Sequence, residues 1–441
     1  MGVKDTVMSR FLGNAEKFTD AQVAQTLTLL VEHGVKHGAS DIHIEPHDQY
    51  VLVRYRIDGS LRGIHKLPRA AQAKLLRQLK ELAGLSPAET HIPGEGHYTL
   101  TTKGRDVEVH VAIMPVLGGE KAVLHLAPHH EDLPGLQSLG FWGDNLHVIH
   151  DTLARPHGLI LVAGPKQAGK STTLHSLLEL LHNPLASIAT VEERRGRRLP
   201  GITQTYAQGR GGIQMADGLH AVLGQDPNII MIESIPNQET GRLVVHVAVT
   251  GHMVVAGLHA ENASAALLHL RALGVEPFLL ATAARLSMGQ RLVRRLCVAC
   301  RQRIPIPDKQ YKELAKTLGL TAGSQARVYE LEQQAIISGV GDGSEPNASR
   351  TRITHVWQAN EHGCDECHHT GYQGRIAIVE VLKNTERVQK QLMQTGPVTP
   401  RELHVAALKD GFIPMALDGL IKALRGETTI SEVLSSVAPE P

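Results

Sequence analysis

Residues 158–181 read GLILVAGPKQAGKSTTLHSLLELL. Leu159 to Ala163 form an apolar run of strand length; the run stops at Gly164, and a helical pattern begins at Lys170. Strand, glycine loop, Lys-Ser and helix in that order are the context in which G-x-x-x-x-G-K-[ST] cradles phosphate. The loop is Gly164, Pro165, Lys166, Gln167, Ala168 and Gly169. Its glycines permit turns that a Cβ would block, so that backbone amides can point at phosphate oxygens. Lys170 is placed to bridge the β and γ phosphates of ATP, and Ser171 to ligate Mg2+, with Thr172 next to it. The helix N-terminus behind them adds a partial positive charge.

From about Trp142 to Leu296 helical and strand patterns alternate, which predicts an α/β domain with a mostly parallel sheet and a nucleotide-binding core over 142–296. Within it IIMIESIPNQET (229–240) begins as a buried parallel strand whose C-terminal edge carries Glu233 and Ser234. Upstream, residues 20–130 predict a small α+β domain: a helix ending near Gly38, a hairpin at Asp58-Gly59 and two strands around Gly118-Gly119. A tail (1–19) precedes it and a linker (131–141) follows. Past residue 297 the pattern predicts a cysteine module to 375 with an exposed loop at 337–352, then a helical subdomain over 376–441.

With 45 Lys and Arg against 44 Asp and Glu, the net charge of +1 gives no electrostatic pull toward nucleic acid, and no stripe of aromatics interleaved with basic residues is present. No apolar run reaches the roughly 18 residues needed to span a bilayer, and the opening residues carry no signal-peptide core. These features predict a cytoplasmic protein. The initial Met-Gly is too little to indicate myristoylation. All four cysteines fall in two Cys-x-x-Cys pairs, Cys297/Cys300 and Cys364/Cys367. In a reducing compartment four thiolates predict a structural Zn2+ site rather than disulfides. His368 and His369, beside the second pair, read as solvent-facing.

Together GASDIHIEP, VRYRIDG, GPKQAGKSTTLH, TGHMVVAGLH, GVEPFLLA, GQRLVRRLC, the cysteine pairs and TGYQGRIAIVEVL resemble, in order, the hexameric ATPases of type II secretion and type IV pilus assembly. The resemblance covers residues 20 to 435 and implies a small N-terminal domain followed by a RecA-like motor domain, packed as a ring on an inner-membrane platform protein. Membrane association is expected only through such partners, at the inner face of the cytoplasmic membrane. Only about twenty residues precede the matching part, where such ATPases carry a longer N-terminal domain. By resemblance Glu192 is the first acid of the family's Asp box, near metal and attacking water. His252 and His259 match its His box, and Arg54 and Arg56 are arginines that reach the nucleotide.

Departures concentrate in the catalytic parts. Where the family ends its second strand Gly-Glu-Ile-Arg-Asp, this chain has Glu233-Ser234-Ile235-Pro236-Asn237. Side chains alternate faces along a strand, so an acid displaced by one residue is expected to point away from the site. The Asp box reads Glu192-Glu193-Arg194, five arginines crowd residues 194–210, and Gln167 replaces a loop glycine, where a positive φ is costly. His91, His97, His110 and His125 stand where the family has arginines. Two functions therefore compete: a motor subunit coupling ATP binding and hydrolysis to pilin or pseudopilin assembly, and a catalytically impaired ATP-binding paralogue in a mixed hexamer with an active relative.

Overall fold

The computed structural model describes residues 20–102, 105–128, 133–193, 197–207, 212–318, 322–342 and 345–437. The N-terminal tail, the start of the expected linker, and Arg194, Arg195 and Arg210 of the arginine-rich stretch lie outside the described residues. The chain forms two compact units that divide at about residue 132.

The first unit runs α1 (Asp20–Lys36), β1 (Ala39–Pro46), β2 (Tyr50–Ile57), β3 (Ser60–Pro68), α2 (Gln72–Leu82), β4 (Gly94–Thr102), β5 (Arg105–Val116) and β6 (Gly119–Pro128). Its strands form an antiparallel sheet in the order β3-β2-β1-β6-β5-β4. The β2–β3 turn has Asp58 and Gly59 at φ 50 and 83°, the paired positive angles of a type I′ hairpin. Alternation sorts the faces: Val51, Val53, Tyr55, Ile42, Ile44, Val107, Val109, Val111 and Leu124 join the core with Leu27, Leu30, Leu75 and Leu79 of the helices. The opposite face carries a cross-strand row: His97 faces His110, His110 faces His125, His125 faces Asp41 and Asp41 faces Arg56.

The second unit opens with α3 (Leu136–Leu139) and α4 (Gly143–Leu153). It continues β7 (Gly158–Ala163), α5 (Lys170–Leu181), β8 (Ile188–Glu192), β9 (Thr203–Tyr206), α6 (Met215–Leu223), β10 (Ile229–Ile232), α7 (Gln238–Val249), β11 (Met253–Leu258), α8 (Ala263–Ala272), α9 (Pro277–Ala283) and β12 (Ala284–Leu296). The sheet order is β15-β12-β7-β11-β10-β8-β9, with β15 (Tyr372–Lys383) the one antiparallel member, paired to β12. The remaining pairs are parallel. Helices cover both faces, as a buried parallel sheet requires. Ile229 and Met231 pack with Leu174, Leu177 and Leu178 of α5, while Ile230 and Ile232 pack with Leu219 of α6 and Val244 of α7.

Part of the stretch expected as linker is core, since Leu136 and Phe141 are buried in the α5 layer. Between β12 and β15 lie β13 (Gln302–Pro305), α10 (Asp308–Thr317), α11 (Ala322–Ile337) and β14 (His355–Gln358). The segment expected as an exposed loop at 337–352 is partly tied down. The buried carboxylate of Glu332 accepts from the backbone N–H of Asn347 and Ala348, both 2.8 Å, and the Asn347 amide donates to Leu424. Its polar composition concealed this because its partners are themselves buried polar groups.

After β15 the chain closes with α12 (Glu386–Leu392), α13 (Pro400–Leu408), α14 (Met415–Leu424) and α15 (Ile430–Ser436). One buried charge pins α14 to the sheet: Asp418 accepts from Trp142 Nε1 (2.7 Å), Val379 N (2.8 Å) and Lys422 Nζ (2.6 Å). Lys422 in turn donates to Ala377 O. Removing one partner of a buried ion pair leaves the other uncompensated. Asp418→Ala is therefore predicted to cost about 3–5 kcal/mol, seen as a lowered thermal transition of the full chain.

Candidate nucleotide site

The phosphate loop leaves β7 at the C-terminal edge of the parallel sheet, where α/β folds place their ligands. Gly164 is required by contact: a Cβ there would lie 2.6 Å from the Gln290 carbonyl and 2.7 Å from Ala168 Cβ. Gly169, at φ 87°, is the left-handed residue that precedes α5. Gln167 also sits at positive φ, 62°, in the region that favours glycine. The loop is held from outside by Gln290 of β12, which is buried. Its Nε2 donates to Ala168 O (2.7 Å) and its Oε1 accepts from Thr173 Oγ1 (2.9 Å). Gln290 stands within GQRLVRRLC, and no local pattern gives it this role, since the contact joins residues more than a hundred positions apart.

Lys170 Nζ donates to Gly164 O (2.9 Å) and Pro165 O (2.8 Å) and lies 3.4 Å from His259 Nδ1. Burial lowers the Lys170 pKa, while the charges of Glu193 and Glu233 oppose that shift. His259 follows β11, so the strand end delivers it to the loop; burial and the Lys170 charge push its pKa down and keep the imidazole neutral. His252 precedes the same strand and is thus at its other end, its Nδ1 3.3 Å from Val247 O. The two His-box residues are therefore separated by the length of β11.

Glu233 differs from expectation. Its carboxylate accepts from Ser171 Oγ (2.7 Å) and from Glu193 N (2.8 Å), so it faces the phosphate loop. Alternation holds, but with the opposite parity: Ile229 and Met231 face α5, and Glu233 continues that face because its N–H extends the ladder to Val191 O (3.0 Å). Gly257 makes room for this backbone, since a Cβ there would meet Glu233 O at 2.1 Å. Burial raises the Glu233 pKa, helped by the charges of Glu192 and Glu193 and opposed by the Ser171 bond. Ser234 is buried, and its hydroxyl donates to Glu193 Oε1.

Glu192, at the end of β8, is buried and accepts from three donors: Thr190 Oγ1 (2.6 Å) and Gln204 Nε2 (3.0 Å) on one oxygen, His175 Nε2 (3.1 Å) on the other. Burial pushes its pKa up, but these donors, His175 first, outweigh it and hold the carboxylate ionised. In the first unit Arg54 binds Glu45 (2.7 Å) and Arg56 binds Asp41 (3.1 Å). Of the four histidines at family arginine positions, His125 pairs with Asp41 and the His97 and His110 rings lie 6.0 Å apart.

The four cysteine sulfurs lie within 4.8 Å of one another, with Cys297–Cys364 at 3.7 Å, Cys300–Cys367 at 3.9 Å and Cys364–Cys367 at 3.7 Å. A disulfide needs about 2.05 Å. Four sulfurs at Zn–S distances of about 2.3 Å form a tetrahedron with edges of about 3.8 Å, which fits this donor set. Burial pushes the Cys367 thiol up, but the N–H groups of Cys364 and Gly371, 3.1 and 3.2 Å from its sulfur, bring it down to about 6. Burial and the neighbouring sulfurs push Cys300 up to about 12, so without a cation the four cannot all ionise.

The family model described as "Type II/IV secretion system protein" matches residues 16–435. The chain is 35% identical over 416 residues to type II secretion system protein E of Dickeya dadantii, covering 94% of this chain and 76% of that one. It is 34% identical over 406 residues to the type IV pilus assembly ATPase PilB of Thermus thermophilus, covering 92% of this chain and 42% of the relative. The fold is similar to the X-ray structure of the Legionella pneumophila ATPase DotB, with a TM-score of 0.63 at 17% identity over 95% of this chain and 96% of that one. The chain belongs to the type II/IV secretion system protein family.

Gln167→Gly is predicted to raise the unfolding free energy of the nucleotide-free chain by up to about 1 kcal/mol, read as a higher thermal transition, since it relieves a left-handed side-chain residue. Gln167→Val, β-branched at the same φ, is predicted to lower it by about 1–3 kcal/mol. Scanning fluorimetry of the three proteins side by side checks the order.

Proposed function

We propose that this chain is an ATP-hydrolysing motor subunit of a type II secretion or type IV pilus machine, working as a ring on a membrane platform protein. The observation that carries the reading is the Ser171–Glu233 hydrogen bond at the mouth of a phosphate loop that also holds Lys170 and His259. Ser171, with Glu233 behind it, would hold Mg2+, whose charge offsets that developing on the β and γ phosphates. Lys170 swings from the loop carbonyls to the phosphates. Neutral His259 lies beside it and can hydrogen-bond the terminal phosphate. The impaired-paralogue reading rests on Ser234, Gln167 and the histidines at 91, 97, 110 and 125; the Glu233 carboxylate beside Ser171 favours the motor reading over it.

Among the described residues no helix is long and apolar enough to cross a membrane. Attachment to the cytoplasmic face of the membrane through partners is part of the proposal. Arg54 and Arg56 are proposed to contact nucleotide, each kept in a defined position by its carboxylate. The cysteine cluster is proposed to hold Zn2+ as a closed structural site.

The purified full chain is predicted to hydrolyse ATP in the presence of Mg2+, and Lys170→Ala to reduce turnover at least about a hundredfold, measured as phosphate release. Absence of Lys170-dependent turnover in a chain that binds ATP would return the impaired reading. Metal analysis of protein purified without chelator is predicted to find about one zinc per chain, lost in Cys364→Ser together with thermal stability.

A further inference from the structure

We infer that Glu193 is the carboxylate that takes the proton from the attacking water, and that Ser234 is the positioning residue that holds it. The inference rests on the reading that the chain hydrolyses ATP. Three acids surround the loop, and their hydrogen bonds divide the work. Glu192 is buried with three donors, Thr190, Gln204 and His175, on its two oxygens, which favours its permanent ionisation over proton exchange with a water. Glu233 is committed to Ser171 and to the Glu193 backbone. Of the three, Glu193 alone is exposed; its backbone N–H donates to Glu233, whose carboxylate also accepts from Ser171, so it stands at the mouth of the phosphate loop with its own carboxylate accepting from Ser234.

Ser234 gives this arrangement its logic. The family pattern has a glutamate at that position, and here a buried hydroxyl donates to Glu193 Oε1. A glutamate at 234 would bring a second carboxylate against Glu193, and like charges in contact raise one pKa strongly. A serine instead supplies the donor that orients a single carboxylate. The acid missing from the end of β10 is thus supplied from the end of β8, one strand over, by the residue that follows Glu192. In the step itself the water oxygen bonds to the γ-phosphorus as Glu193 accepts the water proton. The bond from that phosphorus to the bridging oxygen breaks, its electron pair leaves with ADP, and the proton passes from Glu193 to solvent as inorganic phosphate departs.

Steady-state ATP turnover and affinity for a fluorescent ATP analogue, each with Mg2+, test the proposal on the full chain. Glu193→Gln is expected to lower kcat at least about a hundredfold while analogue affinity changes by less than about threefold. Ser234→Ala is expected to lower kcat about tenfold at unchanged affinity, with Ser234→Thr, which keeps the hydroxyl, recovering most of the loss. Ser234→Glu is expected to lower kcat as well. If the unaltered chain turns over ATP through Lys170 and Glu193→Gln retains that rate, or Ser234→Glu raises it, the assignment is wrong while the hydrolysis reading stands. If the unaltered chain binds the analogue without Lys170-dependent turnover, both fall together.

Discussion

The site depends on the parity of one four-residue strand. β10 is IIMI, apolar on both faces because α5 covers one side and α6 and α7 the other. A strand buried on both faces carries no alternation signal of its own, so its sequence is compatible with either parity. Its neighbours decide: Ile229 is opposite Ile188 of β8 and Met253 of β11, and that register sends residues 229, 231 and 233 toward the phosphate-loop helix. The carboxylate of Glu233 then reaches Ser171 and the hydroxyl of Ser234 reaches Glu193. The alternation rule was sound for this strand; the missing information was which neighbour the odd residues meet.

The strand, loop and helix of 158–181, by contrast, were legible, because every requirement they place on the chain is local: a strand, glycines at close-contact and left-handed positions, Lys-Ser, and a helix start. The loop's cost at Gln167 was also readable, and the φ of 62° there matches the concern. What could not be read is the outside support. Gln290 donates to Ala168 and accepts from Thr173 across the β7–β12 pairing, and such a contact exists only once β12 lies beside β7. Gly164 belongs to the same contact, since its lack of a side chain is what admits the Gln290 carbonyl.

The cysteine cluster follows from sheet topology rather than from spacing. Cys297 comes directly after β12 and Cys364 and Cys367 shortly before β15, and the two strands pair antiparallel with Leu296 opposite Tyr372. Pairing these strands therefore gathers the four thiols at one sheet corner whatever the length of the excursion between them, and loop-closure entropy grows only slowly with that length. The intervening segment folds on itself, with Glu332 capping the turn at Asn347 and the buried Arg425 lying 3.7 Å from the same carboxylate. Spacing along the chain measures the excursion and not the strands that close it.

The acids at the sheet edge show how one chain can keep a chemistry while exchanging the residues that family patterns assign to it. Three carboxylates lie at this sheet edge, and each is held by a different means: Glu192 by three side-chain donors, Glu233 by Ser171 and a backbone amide, Glu193 by exposure and Ser234. The environments of Glu192 and Glu233 separate their proton affinities. Burial raises that of Glu233, while His175, Gln204 and Thr190 lower that of Glu192 against the effect of its own burial. Divergent environments for neighbouring acids are how a site divides the tasks of holding a cation and accepting a proton. A substitution judged by residue type at one aligned position, glutamate to serine, removes a charge; judged by the contact it makes, it positions the charge on the adjacent strand.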